Sequence, residues 1–369
     1  MTNTPTPCRW GILGTANIAR KNWQAILDSG NSRLVAVASR DAAKSARFVE
    51  ECQADVSHPV VPAALDSYEE LIAHPEVDAI YFPLPTGIRK EWVIRAANAG
   101  KHVLVEKPVG TSTADVIEMI AACERNQVQF MDGVMFMHNE RLRLMRETLD
   151  DGASVGSIRR IQSQFSFHGG DEFLRGNIRT HAMLEPHGCL GDLGWYCIRF
   201  SLWAMKWQMP KRVAGRILSS DGHSAATGEV PVEFSGELLF DGGISAGFFC
   251  SFIAQHQQWG VVSGDKGALR VNDFVLPFHG DHTRWSTTKS DFIIKGCQFH
   301  MIEGRRDYEA AEPASNAPHS QEATLFRRFS EIVLSGKLDP PWPPIALQTQ
   351  TVMEACLASA RADSAAVTL

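Results

Sequence analysis

A lysine, an aspartate and a tyrosine stand where they could handle a proton. Lys107 follows the strand-like run His102–Val105, and Pro108 comes directly after it. A helix that begins near Gly191 would bring Asp192 and Tyr196 onto one face, because they are four residues apart. A free tyrosine has a pKa of about 10, so it needs a nearby cation to exchange protons near neutral pH. The three residues are therefore predicted as a set for general acid–base chemistry.

A small-residue turn follows the first apolar run of the chain. It reads Gly11-Ile-Leu-Gly14-Thr15-Ala16-Asn17-Ile18-Ala19, with Gly14 at the tight turn, Ala16 at the second position of a G-x-G-x-x-G/A pattern and Ala19 at the packing position. Such a turn lets a pyrophosphate approach backbone N–H groups at a helix N-terminus. Because it opens the first strand–helix unit, we predict dinucleotide binding there, with an ordinary strand–turn–helix junction as the alternative.

The second strand-like run ends at Ala38 and is followed by Ser39, Arg40 and Asp41. An acidic residue at this tip would bind both ribose hydroxyls and favour NAD. Ser39 and Arg40 suit a 2′-phosphate instead, so the sequence favours NADP over NAD. Two alternatives remain open at this point: Asp41 could cap a helix, and Arg40 could stack on adenine.

Two kinds of segment, which would position these residues, alternate over the first 130 or so positions of the chain. Short apolar runs are each followed by a longer segment of helical period, which predicts a doubly wound parallel sheet with helices on both faces. The runs are Trp10–Leu13, Leu34–Ala38, Ala79–Phe82, His102–Val105 and Val128–Met131; the helical segments are Ile18–Leu27, Ala42–Cys52, Tyr68–Ala73, Arg89–Ala99 and Thr113–Glu124. We expect a dinucleotide-binding domain over residues 1–133.

The pattern changes after about residue 150, so we expect a second, α+β domain over residues 134–369 for substrate binding and oligomerisation. Alternating strand-like runs separated by Gly-rich hairpin signals predict a large, open, mainly antiparallel sheet. These runs are Ile158–Phe167, Val213–Leu218, Phe234–Phe240, Ile244–Phe252, Gly260–Ser263 and Ala268–Val271. A core-packing helix over residues 325–333 is predicted to stop at Pro340–Pro344, followed by a last helix over Leu347–Arg361. These C-terminal helices could pack back on the first domain.

Composition narrows the class of protein. The chain has 369 residues and a net charge of −6, with no Lys/Arg block, so nucleic acid and membrane partners are not expected. Eight scattered cysteines without a CxxC pair fit a reducing compartment, and the polar N-terminus has no signal-peptide pattern. We expect a cytoplasmic protein. His181 and His187 lie near Asp192, but no metal-ligand spacing joins them, so no metal is predicted.

The order of these motifs resembles that of the Gfo/Idh/MocA family of NAD(P)-dependent oxidoreductases. The resemblance rests on Gly14–Ala19, on Pro83-Leu84-Pro85-Thr86, on Glu106-Lys107-Pro108 and on Gly191–Tyr196. The stretch Met131–His138 looks closest to the branch with dimeric dihydrodiol dehydrogenase, D-xylose dehydrogenase and glucose–fructose oxidoreductase. Ala16 departs from the middle glycine of the family fingerprint. Arg89 and Lys90 stand after Thr86 where many relatives carry a His, so substrate preference is not carried over.

The resemblance implies an N-terminal Rossmann domain and hydride transfer to or from a CH–OH group of a sugar, sugar derivative or cyclic diol. Its implied catalytic residues are Lys107, Asp192 and Tyr196: the tyrosine takes the hydroxyl proton, the lysine lowers its pKa and binds the substrate oxygen, and the aspartate orients the lysine or a substrate hydroxyl. Its implied cofactor contacts are Gly14, Thr15, Ala16, Asn17, Ile18, Ser39, Arg40, Pro83, Leu84, Thr86, Glu106 and Lys107. The Lys107–Pro108 bond is expected to be cis.

Four further residues are candidates for the substrate pocket. Arg179 and His187 could bind sugar hydroxyls, although Arg179 could equally be an ion-pair partner. Phe136 and Phe167 could form a pocket wall, although aromatic residues on strands are usually core. Cys189 and Cys197 are expected to be buried packing residues.

Three alternatives to a dehydrogenase stay open. One is a reductase acting in the opposite direction, for instance on a keto- or anhydro-sugar. Another is a non-catalytic NAD(P)-sensing regulator of the same fold; the presence of both Lys107 and Tyr196 favours the enzyme. A third would use a tightly bound cofactor as a carrier between two substrates. A homodimer or homotetramer formed through the C-terminal sheet is expected, because an exposed sheet face is a liability unless it is covered.

Overall fold

The computed structural model describes residues 6–222 and 228–369. The chain divides into two compact units. The first comprises Met1–His138, Met183–Pro186 and Ser315–Gln350, and the second comprises Asn139–Ala182, His187–Ala314 and Thr351–Leu369. Each unit is described by itself below.

The first unit contains a six-stranded parallel sheet with the order β3-β2-β1-β4-β5-β6. Its strands are β1 (Cys8–Leu13), β2 (Ser32–Ala38), β3 (Ala63–Leu65), β4 (Ala79–Phe82), β5 (His102–Val105) and β6 (Phe130–Asp132). The helices between them are α1 (Asn17–Asp28), α2 (Ala42–Asp55), α3 (Tyr68–Ala73), α4 (Thr86–Asn98) and α5 (Thr113–Arg125). The predicted doubly wound sheet is confirmed. The strand order reverses between β1 and β4, which is where such sheets bind ligands at their carboxyl ends.

Two strands of this sheet differ from the sequence prediction. β3 was not predicted, because two of its three residues are exposed and it forms no buried run. β6 begins at Phe130 rather than Val128, since Val128 follows the end of α5 in a turn in which Gln127 has a positive φ of 53°.

The second unit contains a nine-stranded sheet with the order β14-β13-β12-β11-β7-β10-β9-β8-β15. Its strands are β7 (Ile158–Ser166), β8 (Arg212–Asp221), β9 (Val230–Leu239), β10 (Ser245–Ser251), β11 (Gln257–Gly264), β12 (Ala268–Val271), β13 (Thr283–Lys295), β14 (Gln298–Ala310) and β15 (Val367–Thr368). Its helices up to residue 204 are α6 (Glu140–Asp150), α7 (Gly170–Gly176) and α8 (Trp195–Ala204). The mainly antiparallel sheet is confirmed, with β7 and β10 as a parallel pair at its centre.

Helix α8 covers one face of this sheet, where it packs against β7, β10 and β11. Ile161 and Phe165 of β7 point to that face and are buried, whereas Gln162 between them points to the opposite face and is exposed. Every residue of α8 is buried. This explains why the segment shows no amphipathic stripe in the sequence.

The long hairpin of β13 and β14 was not predicted at all. Each strand has 13 residues, and nearly all of those beyond the base are exposed. The apolar/polar alternation that marks a half-buried strand is therefore missing from most of its length.

The two C-terminal helices are α9 (Gln321–Ser335) and α10 (Trp342–Arg361). The core-packing role predicted for α9 is confirmed: the rings of Phe326 and Phe329 lie 4.9 Å and 5.0 Å from that of Trp10 in β1. The predicted stop signal was wrong. α9 ends at Gly336, whose φ of 66° is left-handed, and Trp342 begins α10 so that two prolines stand in its first turn.

Candidate functional site

The turn between β1 and α1 has the backbone of an anion site. Gly14 has a φ of 120°, and a Cβ there would lie 3.0 Å from the Leu84 side chain. Ala16 is extended and precedes α1, no side chain caps the helix, and its first turn holds no acidic residue. Thr15 lies in the turn, Asn17 and Ile18 begin α1, and Ala19 is fully buried at the packing position. These features fit the pyrophosphate of a dinucleotide.

The tip of β2 carries no carboxylate that is available to a ribose. Asp41 caps α2, because its Oδ1 accepts hydrogen bonds from the backbone N–H groups of Ala43 (2.9 Å) and Lys44 (3.3 Å). Ser39 is buried directly after the strand. Arg40 is exposed, and its guanidinium lies 6.0 Å from the ring centroid of Tyr68. The helix-capping alternative for Asp41 therefore holds, and the tip fits a 2′-phosphate better than a free ribose diol.

The loop after β4 is held by a residue that the sequence analysis missed. Glu185 accepts hydrogen bonds from the backbone N–H (3.0 Å) and the hydroxyl (2.7 Å) of Thr86, the first residue of α4. Its carboxylate thus caps a helix whose own N-cap, Pro85, has no side chain to do so. Gly87 donates to the Leu184 carbonyl at 2.9 Å, and a Cβ on Gly87 would lie 2.1 Å from the Met183 carbonyl oxygen. Only the glycine beside Thr86 signalled this close approach.

Arg89 ties the loops after β4 and β5 together. Its side chain is 2% exposed. The Nε donates to the Leu84 carbonyl at 3.0 Å, and Nη1 donates to the Glu106 carbonyl at 2.7 Å and also to the Pro108 carbonyl. Burial lowers the pKa of this guanidinium, while Glu185 and Glu106 favour its charge. Arg89 is therefore a clamp between two loops, not a side chain presented to substrate.

The Glu106–Pro108 loop has a fixed geometry. The Lys107–Pro108 peptide bond is cis, which confirms the prediction. The Glu106 Oε1 accepts a hydrogen bond from the Tyr81 hydroxyl at 2.6 Å, and Oε2 accepts one from the Lys107 N–H at 3.3 Å. Burial, and then the charge of Glu106, raise the pKa of Tyr81 well above its usual value, so this hydroxyl stays protonated as a donor. Lys107 itself is half-buried directly after β5.

In the second unit, Arg179 and Asp192 form an ion pair. The Arg179 Nε lies 2.8 Å from the Asp192 Oδ2, and the side chains are 42% and 13% exposed. Arg179 is thus an ion-pair partner of Asp192, and its side chain keeps enough exposure to meet a ligand as well.

Asp192 lies in a π-helical turn, not in the α-helix that the sequence predicted. This turn spans Leu190–Gly194 and leads directly into α8, where Tyr196 is the second residue. Such turns are rare in proteins overall, and those that do occur are frequently found at functional sites. The Tyr196 ring is 5% exposed and packs edge-on against Phe165 with the centroids 5.6 Å apart.

The remaining substrate candidates differ in exposure. His187 is 4% exposed, and Phe136 is fully buried in a short 3₁₀ turn of the first unit, which favours its core alternative. Phe167 is half-buried in an aromatic cluster, with its ring 5.1 Å from that of Phe173 and 5.3 Å from that of Phe252. Exposure alone therefore leaves Phe167 better placed than Phe136 to meet a ligand.

The described cysteines and histidines of the second unit were also candidates for packing or for metal binding. Cys189 and Cys197 are buried, as expected, and all eight cysteines are free thiols. Within residues 6–222 and 228–369, no group of three or more His, Cys, Asp or Glu side chains is arranged to hold a metal ion. In the same ranges, no helix is both long and apolar enough to cross a membrane.

Proteins named as reductases or dehydrogenases are similar in sequence to this chain over most of its length. A dTDP-3,4-didehydro-2,6-dideoxy-alpha-D-glucose 3-reductase of Saccharopolyspora spinosa is 31% identical, over 73% of this chain and 76% of the relative. A trans-1,2-dihydrobenzene-1,2-diol dehydrogenase of Mus musculus is 30% identical over 73% of this chain and 76% of the relative. Among solved structures, a tyrosine-to-phenylalanine variant of a 3-ketoreductase from Actinomadura kijaniata, in complex with TDP-benzene and NADP, superposes with a TM-score of 0.75 at 25% identity, covering 95% of this chain and 97% of that chain.

Two family descriptions match the chain in sequence. Residues 8–134 match "Oxidoreductase family, NAD-binding Rossmann fold", and residues 142–270 match "GFO/IDH/MocA C-terminal domain". With the identity and coverage of its relatives, these matches show that the chain belongs to the Gfo/Idh/MocA family of oxidoreductases.

Proposed function

We propose that this protein is an NAD(P)-dependent oxidoreductase that transfers hydride between a nicotinamide cofactor and a CH–OH or C=O group of a sugar, sugar derivative or cyclic diol. The observation that carries the proposal is the arrangement around Lys107. The lysine lies directly after the carboxyl end of β5, and Arg89 clamps its loop to the loop after β4. Both loops lie in the unit that contains the anion-binding turn at Gly14.

NADP is the proposed cofactor, with NAD as the alternative. Asp41 is engaged in capping α2, and the exposed Arg40 is suited to a 2′-phosphate. The proposed contacts along the first unit are Gly14, Thr15, Ala16, Asn17, Ile18, Ser39, Arg40, Pro83, Leu84, Thr86, Glu106 and Lys107. Two relatives support this choice: the 3-ketoreductase crystallised with NADP, and a D-xylose 1-dehydrogenase (NADP(+)) of Haloferax volcanii that is 30% identical.

The nicotinamide, when bound, supplies or accepts the hydride. We assign the proton to the hydroxyl of Tyr196 and the stabilisation of the substrate oxygen to the ammonium of Lys107. Asp192 is the proposed third member. Its ion pair with Arg179 fixes the direction of the carboxylate in the turn that leads into α8. Arg179, His187 and Phe167 are proposed substrate contacts, whereas the burial of Phe136 argues for a packing role.

The direction of the reaction follows from the substrate that is present, since the same residues serve both directions. One relative is named as a reductase and another as a dehydrogenase. A dinucleotide-sensing regulator is the second candidate function, and the joint presence of Lys107 and Tyr196 argues against it.

The proposed division of labour assigns cofactor binding to residues 1–133 and substrate binding to residues 134–369. The open face of the nine-stranded sheet supports a further proposal, that the protein forms a homodimer or homotetramer through this sheet. A cytoplasmic location stays a prediction from the sequence.

Absorbance at 340 nm tests the enzyme proposal. NADP and NAD are offered separately with aldoses, polyols and cyclic diols, and NADPH with keto-sugars. Wild type is expected to turn over with NADP, and Tyr196→Phe to lose at least about 100-fold in kcat while still binding NADPH in a calorimeter. Tyr308→Phe is the matched control and should retain activity. Tight NADPH binding without turnover on any substrate would favour the regulator.

Arg40→Ala tests the cofactor choice separately. It should weaken NADPH binding by about 10-fold or more and leave NADH binding unchanged, because only the 2′-phosphate contact is lost. Equal losses for the two cofactors would argue that Arg40 stacks on adenine instead.

A further inference from the structure

One segment of the chain passes from the second unit to the first and back. The first unit includes Met183–Pro186, although Ala182 before this stretch and His187 after it belong to the second unit. An ion pair closes the base of the segment, with the Arg179 Nε 2.8 Å from the Asp192 Oδ2. We call residues 179–192 the docking loop and residues 183–186 its tip.

Hydrogen bonds fasten the tip to the start of α4. The Glu185 carboxylate accepts from the N–H and the hydroxyl of Thr86, and the Leu184 carbonyl accepts from the N–H of Gly87 at 2.9 Å. The first N–H groups of a helix have no partner within it, so the tip satisfies groups that need one. A Cβ on Gly87 would lie 2.1 Å from the Met183 carbonyl oxygen, so glycine permits this approach. The helix therefore fixes the position of the tip.

The residue that Glu185 holds is itself a proposed cofactor contact. Thr86 follows the loop after β4, at the carboxyl edge of the parallel sheet where such folds bind their ligands. Its hydroxyl oxygen also lies 3.4 Å from the Pro108 carbonyl oxygen, next to Lys107. A dinucleotide that binds against this loop therefore acts on the direct partner of Glu185.

The chain that follows the tip leads to the proposed substrate pocket. The carbonyl of His187 accepts a hydrogen bond at 3.2 Å from the N–H of Gly191, which belongs to the π-helical turn that contains Asp192. A Cβ on Gly188 would lie 2.1 Å from the carbonyl oxygen of Pro231, so the backbone packs closely on β9. The base of the docking loop is thus as firmly placed in its unit as the tip is in the other.

The connection between the tip and the base has little slack. Pro186 is the one residue between Glu185, which is bound to α4, and His187, which is buried in the second unit. The proline ring fixes its own φ near −65° and favours an extended backbone for the residue before it. A displacement of Glu185 is therefore transmitted to His187 and to the π-helical turn beyond it.

We propose that Glu185 is a positioning residue that couples the dinucleotide site to the substrate pocket through the docking loop. The inference deepens the proposed function and rests on it, since it needs NADPH to bind beside Thr86. A bound cofactor orders the start of α4, and the tip transmits this order to the Arg179–Asp192 pair at the base. The pocket then takes its substrate-binding form when the cofactor is present.

Amide hydrogen exchange of the full chain, with and without saturating NADPH, tests the coupling. NADPH is expected to slow exchange at residues 179–182 and 187–192 at least about 5-fold in wild type. In Glu185→Ala this slowing should fall below about 2-fold, while the slowing at residues 14–19, the proposed pyrophosphate turn, persists. Glu185→Gln should restore it, because its amide can accept from the Thr86 N–H and donate to the Thr86 hydroxyl oxygen.

Ser67→Ala is the matched control, because it also removes a helix cap from the first unit. The Ser67 hydroxyl caps α3 by accepting a hydrogen bond from the Glu70 N–H at 3.1 Å. This variant should unfold at a lower urea concentration than wild type, as Glu185→Ala does, and yet keep the full effect of NADPH at the loop base. Circular dichroism checks that the variants are folded. A loss of the effect in Ser67→Ala would trace it to general stability and overturn the coupling role.

The other outcomes separate the coupling from the proposed function. If Glu185→Ala keeps the wild-type slowing at the loop base, the inference is wrong while the proposed function stands. The same holds if NADPH slows exchange in wild type at residues 14–19 alone. If NADPH neither slows exchange nor gives a binding signal in a calorimeter, the proposed cofactor is wrong, and the coupling is wrong with it.

Discussion

Arg89 offers the sharpest test of how the first unit holds its loops. Arg89→Met keeps most of the length of the side chain and removes its hydrogen-bond donors. The carbonyl groups of Leu84, Glu106, Pro108 and Val109 all accept from the guanidinium, which is buried with them. A buried carbonyl that loses its donor costs about 1–3 kcal/mol. If about two of the four remain without water, the free energy of unfolding should fall by about 2–6 kcal/mol.

The same substitution should impair activity as well as stability. The loop that Arg89 releases carries Lys107, the proposed ligand of the substrate oxygen, and a displacement of about 1 Å of a group in that role can reduce the rate about 100-fold. Urea unfolding followed by tryptophan fluorescence measures the first effect, and kcat at saturating cofactor measures the second. Arg89→Lys should lie between wild type and Arg89→Met, since one ammonium cannot reach all four carbonyls.

Lys90→Met is the matched control on the neighbouring residue of α4. Lys90 is partly exposed and pairs with Asp115 and Glu118, so its loss should cost less than about 1 kcal/mol. If Arg89→Met unfolds at the same urea concentration as wild type and keeps its kcat, the hydrogen bonds of Arg89 contribute neither to stability nor to activity. That result would contradict this prediction.

Three further perturbations follow from particular contacts. Glu185→Ala should lower the free energy of unfolding by about 1–2 kcal/mol and weaken NADPH binding in a calorimeter, because Thr86 loses its cap; unchanged values would contradict the capping role. Burial lowers the pKa of His58 below its usual 6.5, so the unfolded chain binds this proton more tightly and stability should fall as the pH drops below about 6.5. Urea unfolding between about pH 7.5 and 5.5 should show a shallower dependence for His58→Gln, and a slope equal to that of wild type would refute the assignment. A colorimetric thiol reagent should modify one cysteine, Cys297, in the native protein and all eight in denaturant; several fast native thiols would contradict the burial of the others.

Local patterns in the sequence were enough to predict the parallel sheet of the first unit. Its strands are short buried runs, and its helices show apolar periodicity with recognisable ends, such as the cap that Ser67 provides for α3. The tight turn between β1 and α1 could be predicted for the same reason, since Gly14 and Ala16 act on the backbone within a few residues. These features depend on neighbours in the chain, which a sequence displays directly.

Which residues support the candidate site depends on tertiary contacts and not on local patterns. Arg89 and Glu185 have no local pattern that marks them: the partners of Arg89 come from two different loops, and Glu185 is 99 residues from the helix that it caps. The ion pair of Arg179 with Asp192 joins residues that the sequence analysis had considered separately. The β13–β14 hairpin escaped prediction because it is exposed on both faces.

The sequence by itself determined the fold class through the spacing of nearby residue types, and the resemblance of its motifs indicated the family. The assignment of Lys107, Asp192 and Tyr196 to proton handling stays a prediction from the same motifs. Only the tertiary structure decided which side chains hold those residues in position and which surface is left uncovered. Hydrogen-bond partners and burial depend on segments that are distant in the chain, and no local pattern specifies their approach.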